Sequence, residues 1–368
     1  MKKVLYVATV DIHIKTFHLP YLKMLHDMGY EVHVATNGTE QFPYCDKKYT
    51  IPIERSPYKL KNIKAIKELK KIINKENYDI VHCHTPMGSV VTRLAAKNAR
   101  KNGTRVIYTA HGFHFYKGAP IINWLLFYPI EKYLAKYTDT LITINKEDYN
   151  LAKSRFFKRC KDIEYLPGIG VDSSKFDLNI SDRDKKTLMN ELKLKNDDFV
   201  IIYPARLCPD KNQILLLKLM QRLNNNSNIK LLLPGKDEYN GFYQKFVNNN
   251  KINNVLFLGH RNDISKLLKI SDLLIATSIR EGFGINLVEA LASETPVIAV
   301  DNRGHREIIV EGENGFIIKN DINDLMDKFN LIYNNHDLYN KLKANSYKSV
   351  RKYFLNNSIK EMKKIYDI

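Results

Sequence analysis

Arg206 closes the apolar run FVIIYPAR, and Lys211 follows five residues later, where Pro209 and Asp210 announce the helix NQILLLKLM. Two cations then stand at one helix N-terminus, beside unpaired backbone N–H groups and the positive end of the helix dipole. A guanidinium fork and an ammonium in that setting suit a diphosphate. The same spacing also fits a plain strand-to-helix turn with two solvated charges. In SIREGFGINLVEALAS, Ser278 to Ser293, a helix opens near Gly284 and carries Glu289 among Ile285, Leu287, Val288, Ala290, Leu291 and Ala292. A carboxylate in an apolar setting needs partners. Vicinal hydroxyls of a ribose would serve, as in other nucleotide-binding α/β folds; a solvated helix face is the plainer alternative. Glu281 lies in the loop before this helix, and Gly282 and Gly284 let backbone approach a phosphate or sugar closely.

The first half holds a different set of candidates. His111 ends the run RVIYTAH and precedes Gly112, so it stands at the mouth of a strand. His82 and His84, in HCH, share one strand face, yet no third ligand follows at a metal-binding spacing, and a structural or acceptor-side role is expected for them. His114 lies in the loop after His111, where bordering an acceptor and a purely structural role are equally open. Cys45, Cys83, Cys160 and Cys208 are far apart and form no CxxC pair, which suggests neither zinc nor a disulfide framework and fits a reducing, cytoplasmic setting.

The elements that position these residues alternate between short apolar runs and longer stretches of helical spacing, the signature of βαβ units and a parallel sheet. Strands are expected at Val4–Val10, Glu31–Thr36, Tyr49–Ile53, Asp79–His84, Arg105–His111 and Thr140–Asn145, with helices such as Leu60–Lys75 and Met87–Lys101 between them. The segment YLPGIGVDSSKFD, Tyr165 to Asp177, reads as a linker. The alternation restarts with strands at Phe199–Ala205, Ile229–Leu233, Val255–Leu258, Leu273–Ala276, Pro296–Val300 and Gly315–Ile318, and helices close the chain. The expectation is two doubly wound α/β domains, residues 1–168 and 169–349, with the helix of about 350–368 packing back on the first. Ligands of such sheets bind at the carboxyl ends of the strands, so a cleft between the domains is expected.

RLCPDK followed by EGFGINLVEA, with Glu281 and Glu289 separated by seven residues, resembles the donor site of the retaining nucleotide-sugar glycosyltransferases of family 4, which have the GT-B fold of two Rossmann-like domains. The resemblance extends over nearly the whole chain: DIVHCHTP and TAHGFHFYKG are similar to segments of the branch that builds capsular and exopolysaccharides. It implies that Arg206 and Lys211 hold the donor diphosphate, that Glu281 and the backbone of Gly282, Phe283, Gly284 and Ile285 touch the sugar, and that Glu289 holds the ribose. It implies for His111 a catalytically important contact with the donor sugar. The donor is expected to be UDP-linked, by frequency in the family, and an N-acetylhexosamine is a weaker guess. No metal and no other cofactor is implied. Many members carry a glycine-rich loop after the first strand, whereas TVDIHIKTFH, Thr9 to His18, has no glycine. Side chains such as His13, Lys15 or Thr16 would have to replace the close backbone approach.

The net charge is +18, and residues 1–170 hold 28 Lys and Arg against 15 Asp and Glu, so most of the excess is in the first half. The helix Leu60–Lys75 displays Lys61, Lys64, Lys67, Lys70, Lys71 and Lys75, and a second patch comprises Lys153, Arg155, Lys158, Arg159 and Lys161. Such a surface suits anionic headgroups, and a polyprenyl-diphosphate-linked acceptor on the cytoplasmic face, implied by the resemblance, would account for it. A glycan is the other acceptor class. Val4–Val10 is only seven residues before Asp11 and reads as a strand rather than a leader. Ile121–Ile130 is ten residues, short of the ~20 needed to span a bilayer, and is expected to be a core helix rather than a membrane wedge. Two alternatives remain: a UDP-sugar 2-epimerase of the same fold, and a basic nucleic-acid-binding protein. The second lacks recognition motifs, and its glutamate-bearing cleft would repel a phosphate backbone, so no nucleic-acid partner is expected.

Overall fold

The computed structural model describes residues 1–156, 159–176 and 180–366; Lys158 of the basic patch, Asp177 of the expected linker and residues 367–368 lie outside the described residues. The chain divides into two compact units, Met1–Ile169 with Ser358–Ile368, and Gly170–Asn357. Residues 350–357 thus belong to the second unit, not to the first as the sequence reading has it.

The central strands of the first half are buried on both faces, as those of a parallel sheet covered by helices must be, while the edge strands, Lys47–Thr50 and Asp162–Tyr165, are mostly half-buried or exposed. In chain order the strands are β1 (Lys3–Val10), β2 (Glu31–Asn37), β3 (Lys47–Thr50), β4 (Ile80–His84), β5 (Arg105–Ala110), β6 (Thr140–Thr143) and β7 (Asp162–Tyr165). All pair in parallel, in the order β3-β2-β1-β4-β5-β6-β7. The edge strand β7 is absent from the sequence reading because DIEY is polar and only Ile163 is fully buried. Strand side chains alternate between two cores. Leu5 and Val7 join Ala65, Leu69 and Ile73 of helix Lys61–Glu76 and Val91 and Ala95 of helix Pro86–Ala95. Val4, Tyr6 and Ala8 join Tyr21, Leu22 and Leu25, with Met362, Ile365 and Tyr366 of helix Leu355–Tyr366. That last helix is tied in by polar contacts too. The Tyr366 hydroxyl lies 2.6 Å from Tyr6 Oη and 2.6 Å from His82 Nδ1, and Arg105 donates to the Ile365 carbonyl at 2.7 Å.

The second unit repeats the plan with β8 (Phe199–Ile202), β9 (Ile229–Pro234), β10 (Val255–Gly259), β11 (Leu273–Ala276), β12 (Val297–Val300) and β13 (Gly315–Ile318). The order is β10-β9-β8-β11-β12-β13, again parallel throughout. In both sheets the strand order reverses beside the first strand, between β1 and β4 and between β8 and β11. Such a reversal is where doubly wound sheets open a crevice for ligands.

Four local departures from the sequence reading shape the surroundings of the candidate residues. Thr9–His18 is no loop: β1 runs to Val10 and a helix, Asp11–Phe17, starts at once. The helix expected over 87–101 is two helices, Pro86–Ala95 and Lys97–Lys101, meeting at Ala96. Pro209–Lys211 form a single 3-10 turn, Asn212 follows at φ 51°, and the α-helix begins only at Gln213. Asparagine tolerates that left-handed conformation, and its side chain is anchored on Asn320 Oδ1 at 2.9 Å. Finally, the helix Ile121–Leu134 is not a core helix. Trp124, Phe127 and Tyr128 pack on the sheet's core, but Ile121, Ile122, Leu125, Leu126 and Ile130 point outward, from 43% to 77% exposed. Its inner face is fixed by the ion pair of Glu131 with the buried Arg93 at 2.8 Å, and nothing else among the described residues of the first unit covers the outer one.

Candidate active site

In the second unit the loops that leave β8 and β11 run side by side from the reversal point. Three bonds stitch them together: Thr277 donates to the Lys211 carbonyl at 2.9 Å, the Ile279 amide to the Asp210 carbonyl at 3.1 Å, and the Tyr203 hydroxyl lies 2.6 Å from Ser278 Oγ. Tyr203 is fully buried, and burial drives its pKa upward, so it serves as a neutral hydrogen-bonding post.

This stitching brings Lys211 to Glu281. The ammonium and the carboxylate form an ion pair in which each side chain is about four-fifths covered, 22% and 19% exposed. Arg206, which the sequence places beside Lys211, instead pairs with Glu238 on the loop after β9 and is 58% exposed. The two cations are therefore held by different carboxylates. The loop carrying Arg206 crosses directly over Gly235, where a β-carbon would collide with the Ala205 carbonyl.

Beneath Glu281 lies a floor that sequence reasoning missed, residues 302–305. Asn302 caps the short helix Arg303–Ile308, accepting from the His305 amide at 3.1 Å and donating to the Ser278 carbonyl at 3.0 Å. Arg303 is buried and donates to the Glu281 carbonyl at 3.4 Å. Gly304 presses against the loop: a β-carbon there would stand 2.8 Å from Glu281 Cβ and 2.9 Å from Phe283 N. His305 lies 2.6 Å from the Val300 carbonyl through Nδ1, and burial pulls its pKa down. The available signal was weak, an Asn and a Gly after an apolar strand in AVDNRGH. Phe283 is buried against Tyr353, with ring centroids 5.2 Å apart, Gly284 caps the helix Ile285–Ala292, and Gly282 and Ile285 remain partly open.

Glu289 sits one turn into that helix, half-buried, and among the described residues no hydrogen bond or ion pair holds its carboxylate. Desolvation pushes its pKa up to about 7, with the charge of Lys175 acting in the opposite direction. A carboxylate so placed, with open acceptor positions, is suited to hydroxyl donors.

In the first unit, His111 lies one residue beyond β5, and its surroundings differ from the sequence expectation. His84 ends β4 with Nδ1 3.4 Å from His111 Nε2; His13 and His18 follow β1, with their Nε2 atoms 3.2 Å apart. One ring nitrogen from each of these four lies within 4.8 Å of one from each of the others. His13, His18 and His111 thus reach His84 from distant segments, a gathering that the spacing within HCH does not register. His82 does share a face with His84 but is fully used, bonding Tyr366 Oη at 2.6 Å and Thr109 Oγ1 at 2.8 Å. Burial lowers His13 to about 4 and His82 to about 3, and lowers His18, His84 and His111 well below the ordinary range. Thr85, directly after His84, is held at φ 64° and ψ 151°, a region that β-branched residues avoid. Its hydroxyl meets Thr9 Oγ1 at 2.7 Å, which locks the ends of β1 and β4 together. Lys15 turns away to pair with Glu40, and His114 packs against Phe127 with centroids 4.6 Å apart.

Two family descriptions match the two halves: Glycosyl transferase 4-like over residues 3–145 and Glycosyl transferases group 1 over residues 184–349. The chain is 45% identical to EpsD of Bacillus subtilis (strain 168) over 368 residues, 99% of this chain and 96% of that protein. It is 31% identical over 278 residues, 73% of this chain and 70% of the other, to the UDP-Gal:alpha-D-GlcNAc-diphosphoundecaprenol alpha-1,3-galactosyltransferase of Escherichia coli. The crystal structure of Anabaena Alr3699/HepE in complex with UDP and glucose shares the fold, with a TM-score of 0.79 over all of both chains at 18% identity.

Proposed function

The chain belongs to the group 1 glycosyltransferases and has their two-domain GT-B fold, and from that premise we propose that it moves a sugar, with retention of configuration, from a UDP-sugar to a glycan or polyprenyl-diphosphate-linked acceptor in capsular or other cell-surface polysaccharide synthesis. The observation that carries the reading is the Lys211–Glu281 pair at the reversal point of the second sheet, with Glu289 on the adjoining helix unpartnered among the described residues. The acceptor class is supported by the E. coli relative, whose name specifies a sugar on diphosphoundecaprenol. An N-acetylhexosamine is the first donor sugar to try.

Lys211 and Arg206 take the diphosphate, each exchanging its present carboxylate for phosphate oxygens. Backbone N–H groups from Gly282 to Ile285, at the start of the helix Ile285–Ala292, add to the positive potential. Glu289 accepts from the two ribose hydroxyls. Released from Lys211, Glu281 is free to accept from hydroxyls of the sugar, and His111 contributes a further sugar contact from the first unit. In the transfer step the bond between the anomeric carbon and the β-phosphate oxygen breaks, and the acceptor oxygen bonds to the same carbon from the same face. The acceptor proton passes to the departing phosphate oxygen. Charge developing on that phosphate is met by Lys211, Arg206 and the helix N-terminus, so the reading needs no metal at the diphosphate.

A peripheral position on the inner face of the membrane is part of the proposal. No helix among the described residues is long and apolar enough to cross a bilayer. The outward apolar stripe of helix Ile121–Leu134, the exposed Leu60 and Ile63, and the exposed lysines of helix Lys61–Glu76 together suit the interface of an anionic membrane.

The test is transfer from a panel of UDP-sugars to a short polyprenyl-diphosphate-linked N-acetylglucosamine, with the anomer of the product read by NMR. Acceptor-dependent formation of an α-linked product from an α-linked donor is expected. Acceptor-independent conversion of the donor to its 2-epimer would replace this reading with the epimerase.

A further inference from the structure

Where β1 and β4 diverge, four imidazoles meet, and the donor reading gives a role to His111 alone among them. Among the described residues, the ring nitrogens of His13, His18, His84 and His111 have only one another as hydrogen-bond partners, and Nε2 of the buried His84 has none. Buried polar groups are normally paired with the backbone, a carboxylate or water. Here they are gathered instead: the His18 and His84 rings are 3.9 Å apart and those of His13 and His111 4.6 Å, centroid to centroid.

We infer that His13, His18, His84 and His111 form a binding site for one transition-metal ion of the zinc class, each ring offering one nitrogen. Zinc–nitrogen bonds of about 2.0–2.1 Å place tetrahedral ligand atoms roughly 3.4 Å apart. Two nitrogen–nitrogen separations are already of that length, 3.2 Å between His13 and His18 and 3.4 Å between His84 and His111, and one nitrogen from each of the four rings lies within 4.8 Å of one from each of the others. Four uncharged imidazoles favour zinc, cobalt, nickel or copper over magnesium and calcium, which prefer oxygen ligands. The frame is rigid, since two ligands follow β1 directly, one ends β4 and one follows β5, and the Thr9–Thr85 contact fixes the first two strands. The only other comparable cluster among the described residues, Glu31, His33 and Glu76, is already satisfied: Lys3 and Lys47 neutralise the carboxylates, and His33 bonds Tyr78 and Glu31.

The site carries a consequence for transfer that rests on the role proposed for His111. A ring bound to metal keeps only its second nitrogen, as an N–H donor, and can no longer turn toward a sugar, so occupation withdraws His111 and inhibits the enzyme. The metal of this site is thus an inhibitor, distinct from the diphosphate chemistry of the second unit.

The full chain is titrated with Co2+, and the visible absorption of four-coordinate cobalt is followed, then displaced with Zn2+. One ion per chain with tetrahedral bands is expected, with the bands lost in His13→Gln, whose ring is half-exposed, and in His18→Ala, and kept in His336→Gln on an exposed helix. Absence of the bands from the native chain, or their survival in both ligand variants, overturns the site. In transfer assays with the donor that supports turnover, saturating Zn2+ is expected to slow the native chain at least about tenfold and to leave His13→Gln unaffected. Bands without inhibition would uphold the site and overturn the sugar contact of His111.

Discussion

Lys211 and Glu281, 70 residues apart in sequence, form an ion pair at the point where the strand order of the second sheet reverses. The pair holds a cation and a carboxylate in place before any ligand arrives, and the two partners are expected to part when the donor binds. Lys211→Ala should weaken UDP binding by roughly 10- to 100-fold, the worth of one or two charge-assisted hydrogen bonds. Glu281→Gln should leave UDP affinity within about threefold while lowering turnover by at least ~100-fold, because its loss is felt at the sugar. Calorimetry on UDP and steady-state kinetics on the complete donor separate the two. Equal loss of UDP affinity in both variants would assign Glu281 to the diphosphate instead.

Glu289 links nucleotide binding to pH. Its pKa is pushed up to about 7 by desolvation, and hydroxyl donors of a ribose favour the ionised form, so affinity for UDP should fall as pH drops through 7. The fall should be shallower for 2′-deoxy-UDP and absent in Glu289→Gln. Stability moves in the opposite sense. A carboxyl whose pKa is raised on folding penalises the folded state once it ionises, from its ordinary 4.5 upward and in full above about 7. Glu289→Gln should therefore stabilise the protein by roughly 1–3 kcal/mol above pH 7 and by nothing near pH 4. Thermal melts at the two pH values check this, and a stabilisation that did not depend on pH would contradict it.

Gly304 is a position where a methyl group should reach the chemistry from below. Its β-carbon would stand 2.8 Å from Glu281 Cβ and 2.9 Å from Phe283 N, and backbone cannot yield as a flexible side chain can. Gly304→Ala should cost about 1–3 kcal/mol and reduce turnover more than UDP affinity. Wild-type turnover in a folded Gly304→Ala protein would show that the Glu281 loop tolerates displacement.

The outward stripe of helix Ile121–Leu134 predicts a surface effect without a stability effect. Ile122 and Leu125 are 56% and 66% exposed, so the double change Ile122→Ser, Leu125→Ser should leave the melting temperature within a degree or two. Binding to vesicles of phosphatidylglycerol should weaken at least about tenfold, and binding of the native chain should fall with added salt. Equal sedimentation of both proteins with vesicles would remove this face from the membrane reading.

What could be read from the sequence was local. The strands were legible because a parallel sheet buries both faces, leaving unbroken apolar runs between turn residues, and the loops carrying Lys211 and Glu281 were legible from Pro209 and Gly282. What depended on distant packing was not. Arg206 and Lys211 look adjacent in sequence, but Glu238 and Glu281 draw them to different partners. Arg303 and Gly304 gain their meaning only from the loop above them. The four histidines come from the segment after β1, the end of β4 and the residue after β5, and sequence spacing cannot register side chains that arrive singly. Helical periodicity in Ile121–Leu134 identifies a helix but cannot say which apolar face finds a partner.

The central claim is a nucleotide site built from the two loops of the second unit, and titration calorimetry with UDP, GDP and ADP in metal-free buffer tests it most directly. The account predicts one UDP per chain, at least tenfold preference over the other nucleotides, and at least tenfold weaker binding in both Arg206→Ala and Glu289→Ala. Binding of all three nucleotides with equal affinity, or binding of UDP that neither substitution weakens, would contradict it.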